Sequence, residues 1–466
     1  MVFSSPVYLF CFFPCLFLLS RILPSRRGKE ALLAAAGLVF YAFGELRYVP
    51  LLLFTALLHY ALGRRMPRSG HKKALCALGV LFDLFLLGRF KYAAFLCGAV
   101  NALLGTSLSV VSRSQPAGLS FFTFLAISYL ADVYRGDDPG AEDFLSFLLY
   151  LSFFPRLLSG PLVRHRDHAA QLAQLRFTRE DAAAGLRRFT LGLGKKLLLA
   201  DMLGSVADRV LAPGAAELTA PLAWLGAVAY TLQLYFDFSG YSDMAIGMGR
   251  LFGFRFPENF DRPYVSASLT EFWRRWHITL SGWFRDYVYI PLGGNRDGRG
   301  RTALHKICVF LLTGLWHGAG WNFVLWGLWH GLFMMAESGG RDFLERLRRT
   351  RPGRAALHIY TLLVVTVGFV LFRAATLSEA LGILGAMFRF DFTLRPAAAL
   401  LLRQVLDGAH AAALAAGAVL ALCPRPPEPE TARQELLFDL GTLLLFLLAL
   451  LALAGGSFTP FIYFQF

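Results

Sequence analysis

Charged residues are scarce in this sequence, and the motifs of the common soluble enzymes are missing. Only 17% of its 466 residues are Asp, Glu, Lys or Arg, and 56% are hydrophobic, whereas a typical soluble domain carries about 25% charged residues. The nucleophile elbow G-x-S-x-G, the P-loop and the dinucleotide fingerprint do not occur. Apolar windows instead recur along the whole chain. The sequence therefore predicts an all-α polytopic membrane protein forming one domain over residues 1–466.

Cysteine is also too sparse and too scattered to build a disulfide framework or a zinc site. No C-x-x-C and no Cys/His zinc spacing is present. The two histidines considered below, His277 and His317, have no histidine partner at helical metal-ligand spacing. We therefore expect no metal site and no bound cofactor. The six cysteines are predicted to be small buried hydrophobic residues: Cys11, Cys15, Cys76, Cys97, Cys308 and Cys423.

Acidic residues are outnumbered by basic ones, 31 against 46, which leaves a formal net charge of +15. The basic residues cluster in short loops between apolar runs, such as 21–29 and 64–73. This placement follows the positive-inside rule for cytoplasmic loops and argues against a nucleic-acid partner. It predicts a membrane protein with its N-terminus outside and these two loops in the cytoplasm.

The apolar stretch from 75 to 104 determines the order of the later membrane crossings. It fits either one long tilted helix or a tight hairpin. The charges that follow favour an even number of crossings within it. The acidic loop 135–143 is then expected outside, and the apolar run 144–158 is expected to return inward.

A histidine lies between tryptophans and glycines in the segment Leu315–Trp321. Basic residues bracket the apolar runs on both sides of this segment, which predicts a helical hairpin with His317 near its turn, inside the membrane. An ionisable side chain at that depth is costly, so it indicates a functional residue. The alternative is a histidine satisfied by packing, and the local pattern alone favours neither.

Two further polar segments interrupt the apolar chain. Tyr235–Asp243 carries two carboxylates, Asp237 and Asp243, and is a cavity wall, an inter-helix anchor or simply the loop leaving a span. Ser268 and Glu271 have the spacing of a capping box and predict the start of an amphipathic helix that carries His277 on its apolar face. Such a helix suits a funnel wall, or an ordinary interfacial helix anchored by tryptophans.

Together these segments strongly resemble the membrane-bound O-acyltransferase (MBOAT) family, and within it the bacterial alginate O-acetylase branch. The resemblance runs through nearly the whole chain in order, although no family motif is found in 395–425. The matching segments are Gly118–Gly136, Phe153–Arg164, Tyr235–Asp243, Phe256–Phe260, Glu271–Ser281, Trp283–Arg296, Leu315–Gly318 and Phe461–Phe466.

The resemblance implies acyl transfer across the bacterial cytoplasmic (inner) membrane. The expected fold is a ring of about eleven transmembrane helices, with re-entrant and interfacial helices, around a central tunnel. The expected donor is a cytoplasmic thioester, acetyl-CoA or an acyl carrier protein. The expected acceptor is a hydroxyl of an exported polysaccharide such as alginate, with an extracytoplasmic acetyltransferase or acceptor protein as partner.

The resemblance also suggests roles for individual residues. The family's catalytic histidine maps to His317 and its second polar position maps to His277, so we predict these two as catalytic. His317 would be the general base, because an imidazole can take a proton from a hydroxyl at neutral pH. The predicted substrate-binding residues are Asp237, Asn259, Trp276, Arg285 and Trp316.

Two alternatives remain at this stage. One stays within the family and changes the acceptor to teichoic acid or peptidoglycan. The other is a non-enzymatic polymer or lipid transporter, which would show inverted repeats and paired broken helices. Neither feature is seen in the sequence.

Overall fold

The structure is a computed structural model that describes residues 1–110, 114–212, 218–296, 298–393, 395–424, 430–456 and 461–462, without the side chain of residue 299. Within these ranges the regular structure is entirely helical, which confirms the predicted all-α class. The end of the C-terminal segment that resembles the alginate branch, 463–466, lies outside the described residues.

Helices α1 to α11 cover the first half of the described chain. Their bounds are Phe13–Ile22, Arg26–Glu45, Val49–Arg65, Lys72–Leu87, Ala93–Leu104, Leu119–Arg135, Phe144–Ser152, Phe154–Leu157, His165–Ala173, Arg179–Gly194 and Asp201–Val210.

Helices α12 to α22 follow in the second half. Their bounds are Ala220–Leu251, Leu269–Arg275, Ile278–Phe284, Gly298–His317, Trp321–Gly339, Arg341–Arg348, Arg351–Arg373, Leu377–Phe388, Pro396–Val405, Gly408–Leu422 and Ala432–Gly455.

The described chain packs into two compact units. The first comprises Met1–Phe189 and Ser242–Glu258, and the second comprises Thr190–Tyr241 and Asn259–Ile462. The two catalytic histidines predicted from the sequence both belong to the second unit.

Three described stretches are long and apolar enough to cross a membrane: Arg26–Arg68, Arg351–Arg373 and Ala432–Gly455. A fourth is obtained if α20 and α21, which meet at a 76° bend, form one broken span. Shorter apolar helices make up much of the remainder, and the total of about eleven crossings stays a prediction.

In the first unit, α2 and α3 are antiparallel. Arg27, near the start of α2, forms an ion pair with Asp143 at 2.8 Å. Arg64, near the end of α3, donates to the backbone oxygen of Glu142 at 3.4 Å. Partial burial disfavours the charged form of Asp143, but hydrogen bonds from Arg27 and Ser146 prevail and lower its pKa to about 2. The acidic loop therefore lies on the side of the two basic loops, and its predicted position on the opposite side is wrong.

The acidic loop was predicted on the wrong side because the number of membrane crossings predicted between residues 75 and 104 is wrong. Helix α4, a π-helical turn at Gly88–Tyr92 and α5 follow one another with helical backbone angles at both junctions, so this stretch is one long helix rather than a pair. Helix α6 then returns beside α4. A Cβ on Gly79 would come within 2.2 Å of Leu130 near the end of α6. The predicted even number of crossings is therefore wrong.

The next segment, 144–165, contains a second departure from the prediction. Helices α7 and α8 run back along α6, since a Cβ on Gly118 at its start would lie 2.6 Å from the backbone oxygen of Leu157. The chain then returns as an extended, mostly buried segment to His165, whose Nδ1 lies 2.8 Å from Asp138 in the acidic loop. The predicted single inward crossing is thus a helical pass followed by an extended return. Such a backbone is tolerated at membrane depth only when protein surrounds it.

In the second unit, α15 and α16 form the hairpin predicted around Leu315–Trp321. Gly314 and Gly327 let the two backbones approach closely. A Cβ on Gly327 would lie 2.4 Å from the backbone oxygen of Phe310, and one on Gly314 would lie 2.3 Å from that of Phe323. Small residues at a helix crossing serve the same purpose in other membrane proteins. The hairpin ends α15 at His317, so the prediction that this residue lies at the turn is confirmed.

Gly327→Ala is expected to destabilise the protein. The added methyl group must push α15 and α16 apart, at a cost of about 1–3 kcal/mol for overpacking. The apparent melting temperature of the detergent-solubilised protein should fall. Gly385→Ala, in mid-helix α19 with nothing within 4 Å of a Cβ, should leave it unchanged or raise it slightly, because alanine favours helix. Equal melting temperatures for the two variants would contradict this account of the hairpin.

Candidate active site

His317 occupies the C-terminal position of α15, and aromatic rings surround its side chain. The centroid of its ring lies 4.8 Å from that of Trp316, 5.2 Å from Trp326 on α16 and 5.0 Å from Phe372 on α18. Only 5% of the residue is exposed. Three helices thus hold the predicted base in a water-poor, aromatic pocket.

His277 lies in a break between two short helices, where the sequence predicted one continuous amphipathic helix. Helix α13 ends at Arg275, and α14 begins at Ile278. His277 itself has φ +45°, in the left-handed region, which costs a residue other than glycine roughly 1–2 kcal/mol. The predicted helix start at Ser268 is confirmed, since its hydroxyl accepts from the Glu271 N–H at 3.1 Å. The continuation of that helix through His277 is wrong.

Backbone pairing with the segment 259–261 stabilises this break. The N–H of Ile278 donates to the backbone oxygen of Asn259 at 2.9 Å. The N–H of Asp261 donates to the backbone oxygen of Arg275, also at 2.9 Å. Two ladder-like bonds on either side of His277 therefore hold it in its uncommon conformation.

The side chain of Asn259 orients the imidazole of His277. Its Oδ1 accepts from the Thr279 N–H at 3.2 Å and from the Thr279 hydroxyl at 2.9 Å, and it lies 3.2 Å from Nδ1 of His277. A backbone N–H can only donate, so the atom facing Thr279 must be the amide oxygen. Nδ1 of His277 therefore carries the hydrogen, and in the neutral ring Nε2 presents a lone pair. Asn259 is fully buried.

Trp316 connects the two predicted catalytic histidines. Its ring centroid lies 4.8 Å from that of His317 and 6.1 Å from that of His277. Trp276 joins the same group through Phe260, whose ring is 5.1 Å from Trp276 and 6.5 Å from His277. The structure thus brings together five of the seven predicted site residues: His277, His317, Asn259, Trp276 and Trp316.

Asp237 lies within the long helix α12, so the alternative that its segment is the loop leaving a span is wrong. One carboxylate oxygen accepts from Lys196 Nζ at 2.8 Å, and the other accepts from the N–H of Ile462 at 2.9 Å. Lys196 also pairs with Asp201 at 2.7 Å. Both Asp237 oxygens are therefore engaged by groups of this chain.

Arg285 is the seventh predicted residue. Its side chain is 65% exposed and pairs with Asp286 at 2.7 Å. In the part of the chain that the structure describes, neither Arg285 nor Asp237 forms a hydrogen bond or an ion pair with His277 or His317.

Sequence reasoning missed Lys196, the buried partner of Asp237. A signal was available, because the pair Lys195-Lys196 and the carboxylate of Asp237 each interrupt an apolar stretch. Charges buried in such stretches are almost always paired. Trp326 and Phe372, which enclose His317, were missed for a different reason: aromatic residues in apolar helices are too common to mark a site.

The pocket has the features that proton transfer to or from a hydroxyl requires. It holds two imidazoles, one with its tautomer defined by Asn259, among rings that exclude water. A buried neutral imidazole is a competent general base near pH 7. Exclusion of water also protects a reactive ester or thioester from hydrolysis.

Comparison with known proteins agrees with this chemistry. The model of the membrane-bound O-acyltransferase family matches residues 114–374, which contain both histidines. The chain is 40% identical to the probable alginate O-acetylase AlgI of Azotobacter vinelandii, with 100% of both chains covered. It is 32% identical to the peptidoglycan O-acetyltransferase of Helicobacter pylori, covering 83% of this chain and 80% of that one.

A more distant similarity reaches the teichoic acid D-alanyltransferase of Bacillus subtilis, at 29% identity over 53% of this chain and 70% of that one. The names of these relatives share one reaction type, the transfer of an acyl group to a polymer. A transporter without covalent chemistry is therefore set aside. The chain belongs to the membrane-bound O-acyltransferase family and is an O-acyltransferase of the membrane.

Proposed function

We propose that the protein moves an acetyl group from a cytoplasmic thioester, acetyl-CoA or an acyl carrier protein, across the inner membrane to a hydroxyl for O-acetylation of an exported polysaccharide such as alginate. The observation that carries the proposal is the pair of buried histidines on either side of Trp316. The full-length similarity to proteins named alginate O-acetylase supports the choice of acyl group and acceptor.

His317 acts as the general base in this proposal. It takes the proton of the acceptor hydroxyl while the hydroxyl oxygen forms a bond to the thioester carbonyl carbon. The carbon–sulfur bond then breaks, and the leaving thiolate receives the proton from the His317 imidazolium. A positioned base of this kind typically contributes about 10²–10⁴-fold to the rate. The products are an O-ester and a free thiol.

His277 acts as a hydrogen-bond acceptor. Because Nδ1 of His277 faces the amide oxygen of Asn259, the neutral ring offers only the Nε2 lone pair to a substrate. It is suited to orienting an incoming hydroxyl, and not to donating to the thioester carbonyl. Trp316 and Trp276 form walls of the pocket and keep water away from the thioester.

Arg285 and Asp237 take roles away from the histidines. The exposed guanidinium of Arg285 is available to phosphate groups of the acyl donor, in competition with Asp286. We assign Asp237 to holding Lys196 and the segment at Ile462 in place. An extracytoplasmic acetyltransferase or acceptor protein would receive the acetyl group, and the N-terminus is proposed to lie outside.

A second acceptor class is supported by the relatives acting on other polymers. The similarity to the peptidoglycan O-acetyltransferase and to the teichoic acid D-alanyltransferase favours the same chemistry with peptidoglycan or teichoic acid as acceptor. Incubating membranes containing the protein with labelled acetyl donor and each polymer in turn separates these acceptors.

His317→Ala should abolish acetyl transfer. The loss of the base predicts a decrease of about 10²–10⁴-fold in ester formation, measured as labelled acetyl groups incorporated into polymer by cells expressing each variant at equal membrane levels. His71→Ala, at an exposed histidine before α4, is the matched control and should retain full activity. Full acetylation by a correctly inserted His317→Ala protein would disprove the assignment.

Asn259→Ala is expected to reduce transfer at least tenfold, because His277 loses the acceptor that selects its tautomer. Thr279→Val is the control, since it removes one of the donors to Asn259 Oδ1 and leaves the bond to His277 intact. Nitrogen chemical shifts of ¹⁵N-histidine-labelled protein report which ring nitrogen carries the hydrogen. They should show His277 with hydrogen on Nδ1 in the wild type and a mixture in Asn259→Ala. An unchanged tautomer would contradict the positioning role.

Lys196→Met tests whether Asp237 supports the structure or binds substrate. Removing the lysine leaves the buried Asp237 carboxylate without its cation, which typically costs about 3–5 kcal/mol, so the apparent melting temperature should fall. Lys196→Met combined with Asp237→Leu should recover most of the stability and activity. A double variant that is stable but inactive would instead support substrate binding by Asp237.

A further inference from the structure

A basic pocket lies at the end of α3 in the first unit, in residues that the acyl-transfer mechanism does not use. It has a volume of about 680 Å³ and is lined by Tyr60, Ala61, Arg64, Arg65, Arg68 and Ser69. This volume falls within the range of small-ligand sites, roughly 300–1,000 Å³.

The pocket concentrates positive charge, and the acidic loop beside it contacts Arg64 through the backbone oxygen of Glu142. Arg64, Arg65 and Arg68 are all exposed, and among the described residues none of them forms an ion pair with a carboxylate. Arg64 interacts with the Tyr60 hydroxyl and a backbone oxygen, which are neutral acceptors. No described residue of the lining is acidic. The helix dipole stabilises basic residues in the last turn of a helix, which is an alternative reason for Arg64 and Arg65. It does not account for Arg68, which lies beyond α3 in the following 3₁₀ turn.

An apolar face of α3 leads directly into this pocket. Phe54 and Leu57 are 54% and 53% exposed. They precede Ala61 and Arg64 at helical spacing, so all four lie along one stripe. The stripe belongs to a stretch that is long and apolar enough to cross a membrane. Its outward face is therefore available to acyl chains at the level below the arginines.

We propose that this pocket binds the headgroup of an anionic phospholipid, with its acyl chains along Phe54 and Leu57. Arginine pairs with phosphate through two parallel hydrogen bonds, and the Ser69 and Tyr60 hydroxyls suit the polar groups of a glycerol headgroup. Both the charge and the apolar stripe are used by a lipid, whereas a free phosphate ion would use only the charge. The positive-inside rule places these arginines at the cytoplasmic leaflet, where anionic lipids attract basic residues.

Native mass spectrometry of the full-length, delipidated protein in a neutral detergent tests this proposal. The probes are phosphatidylglycerol, phosphatidylcholine and glycerol phosphate. The wild type should retain one phosphatidylglycerol in preference to phosphatidylcholine. Arg64→Gln/Arg65→Gln/Arg68→Gln should weaken that binding about a hundredfold, since each basic residue near an anionic surface contributes on the order of 1 kcal/mol.

The matched control is Arg349→Gln/Arg351→Gln/Arg354→Gln, which removes the same charge from three exposed arginines, one between α17 and α18 and two in the first turn of α18. It should retain wild-type binding. Equal losses in both triple variants would show a general charge effect and overturn the proposal. Displacement of phosphatidylglycerol by equimolar glycerol phosphate would also overturn it, because the acyl chains would then contribute nothing.

Ala61→Trp keeps all three arginines and fills the pocket. It therefore tests the pocket independently of any misfolding or altered membrane insertion in the triple variant. It should also lose phosphatidylglycerol binding while the melting temperature stays near that of the wild type. Leu57→Ser should weaken phosphatidylglycerol binding without changing that of glycerol phosphate. Unaffected lipid binding in Ala61→Trp would overturn the assignment to this pocket.

Discussion

Burial of polar groups among apolar helices is the constraint on which the site depends. A charge or an amide removed from water must find its partner within the chain, or its burial costs several kcal/mol. In the second unit Lys196 meets Asp237 and Asp201, and Asn259 gathers three donors on one oxygen. In the first unit Arg188 meets Asp243 and Glu258. These pairings restrict how the apolar helices can slide past one another, which apolar contacts alone do not do.

The same constraint explains how an uncommon backbone persists at His277. Its left-handed conformation is unfavourable by itself, yet it turns the imidazole towards Trp316 and exposes the N–H of Thr279 to Asn259. The bonds to Asn259 and the backbone pairing on either side offset the cost. Strain of this kind persists where surrounding structure over-determines it, and such places are often functional. A continuous helix through His277 would have lost the bond that selects its tautomer.

The sequence predicted the helical class, the hairpin at His317 and the residues that meet around Trp316, because each depends on a local pattern or a long motif. It failed where the outcome depended on long-range pairing. The side on which the acidic loop lies was inferred from charge alone, but Arg27 and Arg64 bring Glu142 and Asp143 to their own side. The positive-inside rule assigns each loop to a side from its own charges, so it cannot predict an ion pair between two loops. The break at His277 was missed because its helical spacing is intact in the sequence.

The packing around the histidines also bears on which part of the reaction they can control. Ring centroids surround His277 and His317 at 4.6–6.5 Å, so the aromatic side chains are in contact with one another and with the imidazoles. Such surroundings favour a small acyl group and a single hydroxyl over a whole sugar ring. Under the proposed function, selection of the polymer would then depend on surfaces outside this pocket or on a partner protein, while His317 moves the proton and His277 orients the hydroxyl. If the chemistry is shared and polymer selection lies elsewhere, one family can contain relatives named for alginate, peptidoglycan and teichoic acid.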